Sequence, residues 1–215
     1  MQYWSVFMKK IEINIRYMLK QKDFKVDSII LRMSIKVAYQ LKLVSHPFGN
    51  LRFRDRTALI LIRDETGKLL LGREDGFYPP GIFRMIGGGI DTGEAVIDGT
   101  IREIEEELGL NVKNDELIEL AEVELEGVYQ GNVYTTKIYV HYLKVRLSEC
   151  VANDDVSELI SCTEEEYSEL VNRFFQLRDD HIYKKDDFEF SWGDYGRAYG
   201  FLHKLALDEV IKRGL

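Results

Sequence analysis

Three consecutive glycines, Gly87 to Gly89, run into a segment holding Glu103, Glu105, Glu106 and Glu107, and this stretch constrains the chain most. Glycine lets a backbone approach a ligand closely and take positive φ values. Beyond the glycines, Ile97, Ile101, Ile104 and Leu108 recur at helical spacing and predict a helix with one buried face. Thr92 is expected to cap it after Gly93, with Glu94 in its first turn and Gly109 at its stop. Glu103, Glu106 and Glu107 stand at i, i+3 and i+4, so their carboxylates should converge on another face. A bare run of glutamates is most often a solvated helix face. The other way to stabilise converging carboxylates is a hard cation with oxygen ligands, and Mg2+ is the commonest. An acidic metal site beside a close-approach glycine loop suits hydrolysis of a phosphate linkage.

The segments around this stretch supply strands and helices. Thr57 to Ile62 is an apolar run suited to a buried strand, and Asp64-Glu65-Thr66-Gly67 signals a turn into a second strand, Lys68 to Arg73. Glu74 to Phe83 is a loop whose Phe77, Tyr78 and Phe83 form either its own small core or a stacking surface for a planar ligand. Ala121, Val123 and Leu125 alternate with glutamates as a half-buried strand, and Gly131-Asn132 turns into a long strand, Tyr134 to Val145. Asn153, Asp154 and Asp155 make an acidic loop. Thr163 and Glu166 form a capping box for a helix burying Tyr167, Leu170, Val171 and Phe174. Arg178 to Phe190 reads as charged loop, and Asp194 as the cap of a last helix with Ala198, Leu202, Leu205 and Ala206 inward. Strands on both sides of a central helix, with helices at the end, predict an α+β layered domain.

Residues 1–50 read as a partly helical N-terminal extension, and residues 51–215 as the main domain. Asp27 or Ser28 is expected to cap a helix running to about Leu43 through Ile29, Ile30, Met33, Val37, Ala38 and Leu41. Lys9 to Ile15 is compatible with strand or helix, and His46 to Asn50 reads as a linking turn. The extension carries a formal charge of +6 against -14 for the rest. That contrast is ordinary surface charge, or else the basic segment packs on the acidic body or on a second copy in a homodimer. A net charge of -8 argues against nucleic-acid binding. No run reaches the ~18 apolar residues of a membrane span, and the apolar start precedes Lys9 and Lys10, the wrong order for a signal peptide. Cys150 and Cys162 lack metal-ligand spacing and are too few for a disulfide framework, so a cytoplasmic setting is expected.

The spacing within Gly88 to Leu110 adds a resemblance. Gly88, Glu94, Arg102-Glu103, Glu106-Glu107 and Gly109, with aliphatic Ile104 and Leu110, match the complete signature of the Nudix hydrolase family. More loosely, the likeness runs from Arg52 to Leu177. It implies an α/β/α sandwich with a mixed β-sheet. It also implies a Mg2+-dependent, sometimes Mn2+-dependent, hydrolase that cleaves a nucleoside diphosphate linked to another moiety, such as a nucleoside triphosphate, ADP-ribose or a nucleotide sugar. Carried over, Glu103, Glu106 and Glu107 hold metal with the Gly88 carbonyl, Arg102 orients the glutamates, and Glu94 ties the loop to the helix beside Gly87 and Gly89. The catalytic base is Glu106 or Glu107 from within the motif, or Glu158 from outside it. Arg73 and Arg84 flank the pocket by sequence as candidates for substrate phosphate, and Phe77, Tyr78 and Phe83 for the base. Ile86 stands where many members have proline, which should alter the stiffness of the loop. A non-hydrolytic nucleotide-sensing module using the same fold is the alternative.

Overall fold

Alternation and apolar runs lay down one mixed sheet, which a computed structural model describes within residues 34–215. Strands β1 (Ile35–Lys42), β2 (Arg56–Arg63), β3 (Leu69–Arg73), β4 (Ile118–Tyr129), β5 (Asn132–Lys144) and β6 (Glu158–Cys162) lie in the order β1-β4-β5-β2-β3-β6. β1 runs parallel to β4 and β2 parallel to β5, while β4–β5, β2–β3 and β3–β6 pair antiparallel. The helices are α1 (Gly49–Phe53), α2 (Val96–Leu108), α3 (Glu164–Phe175) and α4 (Trp192–Arg213). A separate hairpin, β7 (Ile182–Lys185) and β8 (Phe188–Ser191), precedes α4.

Side chains on successive strand residues point to opposite faces, so a strand apolar throughout needs cover on both. In β2, Leu59 and Leu61 join a core built with α3 and α4, while Ala58, Ile60 and Ile62 join one built with α2. The result is the helix–sheet–helix sandwich that the motif implied. Each fully buried Leu or Ile contributes roughly 1.5–3 kcal/mol, so β2 fixes both layers at once. The capping box at α3 forms as expected: Thr163 Oγ1 accepts from Glu166 N, and Glu166 from Thr163 N at 2.8 Å.

Several expectations are corrected. The helix proposed up to Leu43 is instead strand over Ile35–Lys42, and its start at residues 27–33, like Lys9 to Ile15, lies outside the described residues. There, Ile35, Val37, Tyr39 and Leu41 turn inward and alternate with exposed Lys36, Ala38, Gln40 and Lys42, a period of two that tertiary pairing with β4 selects. Ser34–Leu215 forms one compact unit by itself. The supposed linking turn is core, because Phe48 is 1% exposed and Leu51 is buried. Arg178 to Phe190 is loop only through His181; from Ile182 it forms β7–β8 through Tyr183, Phe188 and Phe190, with Asp186 taking the positive φ of the turn. Ser191, not Asp194, caps α4, accepting from Gly193 N and Asp194 N. Asp194 is buried in the first turn, where its carboxylate accepts from Val44 N, Ser45 N and Arg197. That anchor ties the segment after β1 to the start of α4.

Candidate active site

The glycines work by leaving space. The segment from Arg84 to Ile90 runs beside β2 and the end of β3 through isolated bridges at Thr57–Gly89, Ile60–Ile86 and Gly72–Arg84. Gly87 has φ +133°, and a Cβ there would meet the backbone of Ala58, with Ala58 C at 2.9 Å. A Cβ on Gly88 would fall on the Glu103 carboxylate, 2.6 Å from its Cδ. The missing side chain at Gly88 therefore leaves room for the Glu103 carboxylate of α2, and that at Gly87 lets the segment lie against β2. Ile86, in the place of the family's proline, is fully buried, and its carbonyl accepts from Ile60 N at 2.8 Å.

α2 begins later than expected. Its N-cap is Ala95, and neither Thr92 nor any other side chain caps it. Gly93 at φ +84° delays the helix, and Glu94 lies before it, accepting from Asp91 N at 3.0 Å and from Arg102 through both oxygens. Arg102 holds its Glu94 carboxyl below the usual range. Gly109 in the left-handed region ends the helix, its N–H donating to Glu105 O. Ile104 and Leu108 are fully buried, while Ile97 and Ile101 are half-buried against the same core.

Arginines organise the acidic face. Arg102 Nη1 donates to Glu103 at 3.0 Å and Glu106 at 2.9 Å, and its Nη2 donates to Gly89 O at 2.8 Å. Arg84 Nη2 donates to Glu107 at 2.6 Å, and the other Glu107 oxygen accepts from Gly87 N at 2.8 Å. Burial pushes the Glu103 carboxyl up, partly offset by Arg102. Glu103 and Glu107 are buried, whereas the Glu106 side chain is 46% exposed. Convergence is thus incomplete: among the described residues no three carboxylate, His or Cys groups gather around one point, because each glutamate bends to an arginine. The donor chemistry still fits a hard cation, since three carboxylates and the Gly88 carbonyl offer oxygen alone.

A cavity of about 210 Å³ gathers some of the sequence candidates and leaves others out. Arg84, Gly87, Gly88, Glu103, Glu107, Phe77 and Tyr78 line it; Phe83, Arg73 and Glu158 do not. Glu158 is exposed in β6 opposite Arg73, and Arg73 sits over the Phe83 ring. Arg84 is committed to Glu107 and to the Met85 and Gly87 carbonyls, so it braces the site where the sequence suggested a phosphate contact. Aromatic residues distant in sequence complete the cavity: Phe48, Phe188, Phe190, Tyr195 and Tyr199. So do Glu74 and Asp155, which sequence reasoning missed. Asp155 belongs to the acidic loop that the sequence flagged, and bonds from Asn153 N to Glu107 O and Val151 N to Leu108 O hold that loop against α2. Burial, then the charge of Asp155, pushes the Glu74 carboxyl up.

A family model described as the NUDIX domain matches residues 53–186, reaching past the expected end at Leu177 into the β7–β8 hairpin. The solved E. coli dihydroneopterin triphosphate pyrophosphohydrolase is similar, with a TM-score of 0.45 and 18% identity over 54% of this chain and 86% of that one. A MutT/nudix family protein from Enterococcus faecalis gives 0.47 and 12% over 78% and 66%. A C. elegans Ap4A hydrolase gives 0.39 and 20% over 70% and 97%. No match is found among curated proteins. Among the described residues, no helix is long and apolar enough to cross a membrane.

Proposed function

The chain belongs to the NUDIX family of hydrolases acting on phosphorus anhydrides, and from that premise we propose that it cleaves the diphosphate linkage of a nucleoside diphosphate joined to another moiety, with Mg2+ or Mn2+. The observation that carries this reading is the pairing of Glu103 and Glu107 with the side-chain-free edge at Gly87 and Gly88, beside a cavity with aromatic lining. A divalent cation bound by these carboxylates would supply charge neutralisation at phosphorus and acidify the attacking water. Arg102 holds Glu103 and Glu106 at fixed spacing, and Glu94 and the Gly89 carbonyl hold Arg102 from its other edge. Arg84 fixes Glu107 through a buried charge-assisted bond. Both Glu107 oxygens are engaged, so the cavity-lining Glu74 and Asp155, and exposed Glu106 outside that lining, are the better acceptors for the proton that water releases. Phe77 and Tyr78, with the rings of β8 and α4, offer an apolar surface to the nucleoside base.

The test is a broad panel of nucleoside triphosphates, ADP-ribose and nucleotide sugars, with product identification. Purified protein with Mg2+ should release nucleoside monophosphate from at least one member, and Glu106→Gln and Glu107→Gln should each abolish release. Full activity in both variants, or turnover unaffected by a chelator, would overturn the assignment.

A further inference from the structure

The acidic site needs a cationic counterpart if an anionic substrate is to enter, and most nearby arginines are already committed. Arg84 is spent on Glu107, Arg102 on three glutamates, and Arg56 on the carbonyls of Glu94 and Asp91. Arg54 differs. Its exposed side chain makes no ion pair or hydrogen bond among the described residues, yet it borders both the cavity and the adjoining depression that Glu103 shares. Its position comes from a missing side chain: a Cβ on Gly89 would stand 3.1 Å from Arg54 Nε and 3.2 Å from its Cζ.

A second observation points the same way. Thr57 is 1% exposed, lines the same cavity, and its Oγ1 has no hydrogen-bond partner among the described residues. A buried hydroxyl without an acceptor is unfavourable, so its presence suggests an acceptor that arrives with a ligand. Thr57 pairs with Gly89 across the strand edge, which places the hydroxyl's residue and the guanidinium around the same glycine. Thr57 is also on the face of β2 shared with Leu59, another cavity residue, and opposite the face that α2 covers through Ala58 and Ile60.

We propose that Arg54 and Thr57 form an anion subsite for a substrate phosphate, beside Gly89 and Glu103. A guanidinium supplies a planar pair of donors matched to phosphate oxygens, and the threonine hydroxyl supplies a third. This deepens the hydrolase reading and rests on it for the identity of the ligand as a phosphorylated substrate. Phosphate held there would lie next to the carboxylates of α2, and the uncommitted cation would offset the negative lining of the cavity.

Imidodiphosphate, a non-hydrolysable diphosphate, is the probe, titrated calorimetrically in Mg2+ into the full chain. Arg54→Ala should weaken binding about tenfold or more, with Arg54→Lys between it and the parent, because lysine keeps the charge and loses the fork. Thr57→Val should weaken it about threefold to tenfold, and Thr57→Ser should restore it. Unfolding midpoints of the variants serve as the folding control. Parent-like binding in both Arg54→Ala and Thr57→Val, or no binding of the probe by the parent, overturns the subsite. Should binding depend on both residues while no panel nucleotide is hydrolysed, the subsite stands and the hydrolase reading falls. Should turnover occur with KM unchanged in both variants, the subsite falls and the hydrolase reading stands.

Discussion

Replacing Arg84 with methionine should destabilise the protein by about 3–5 kcal/mol, the cost of stranding a buried charge. The pair is 2.6 Å apart, with side-chain exposures of 10% and 4%, so little water is at hand to replace the guanidinium. Charges centred roughly 4 Å apart interact by about 4 kcal/mol at an effective dielectric near 20. Without Arg84, the Glu107 carboxylate keeps only the Gly87 N–H, and the Met85 and Gly87 carbonyls lose a donor. With a urea m-value of about 2 kcal/mol per molar, the unfolding midpoint should fall by roughly 1.5–2.5 M. Fluorescence of the buried Trp192 is a suitable probe. The double variant Arg84→Met/Glu107→Leu separates mechanism from mere damage. It removes both charges and should recover at least about 1.5 kcal/mol relative to the sum of the single changes. An Arg84→Met midpoint within about 0.5 M of the parent, or strictly additive single and double variants, would refute the buried-pair argument.

The two glycines beside this pair should fail differently. Gly87→Ala forces a Cβ into the Ala58 backbone at φ +133° and should cost more than about 2 kcal/mol, seen as a lowered melting temperature. Gly88→Ala meets only the flexible end of Glu103, so the protein should melt near the parent temperature while hydrolysis falls at least about tenfold. His141 and His203 predict acid sensitivity: burial lowers each to about 4, against an unfolded value near 6.5. The unfolded chain binds more protons between those values, so the stability is full above pH 6.5 and is lost as pH falls toward 4. It should drop by about 2 kcal/mol per histidine between pH 7.5 and 5, read from urea midpoints, and His203→Asn should flatten that slope. His203 Nε2 accepts from Met85 N at 2.9 Å, so protonation would also break a bond to the segment that carries the glycines. Asp194→Ala removes the acceptor for Val44 N and Ser45 N and should cost about 2–4 kcal/mol, with faster amide exchange at both residues.

Local chemistry was legible in the sequence where one element decided it. The α2 motif, the Thr163–Glu166 cap and the turn at Asp64 each depend on residues a few places apart, so spacing alone conveys them. The same holds for the two-faced character of β2, because an apolar run must be covered on both sides. Legibility failed where a short segment had two local solutions. Ile35–Lys42 fits a helical stripe nearly as well as an alternating strand, and pairing with β4 settled it. The β7–β8 hairpin looked like charged loop because its inward aromatics are separated by a polar turn.

The sequence by itself determined that a glycine edge would meet glutamates of one helix, together with the reaction class the motif implies, because both are encoded at fixed spacing along one segment. Only the tertiary structure decided which neighbours those groups meet. It paired Arg84 with Glu107, and left Glu158 outside the cavity while Asp155 and Glu74 entered it. It also brought Arg54 and Thr57 to the same glycine and placed rings from α4 and β8 across from them. Those encounters join residues up to about 150 positions apart, as in the bond from Asn50 to Tyr199. They depend on how sheet and helices stack, and no spacing rule along the chain carries that information.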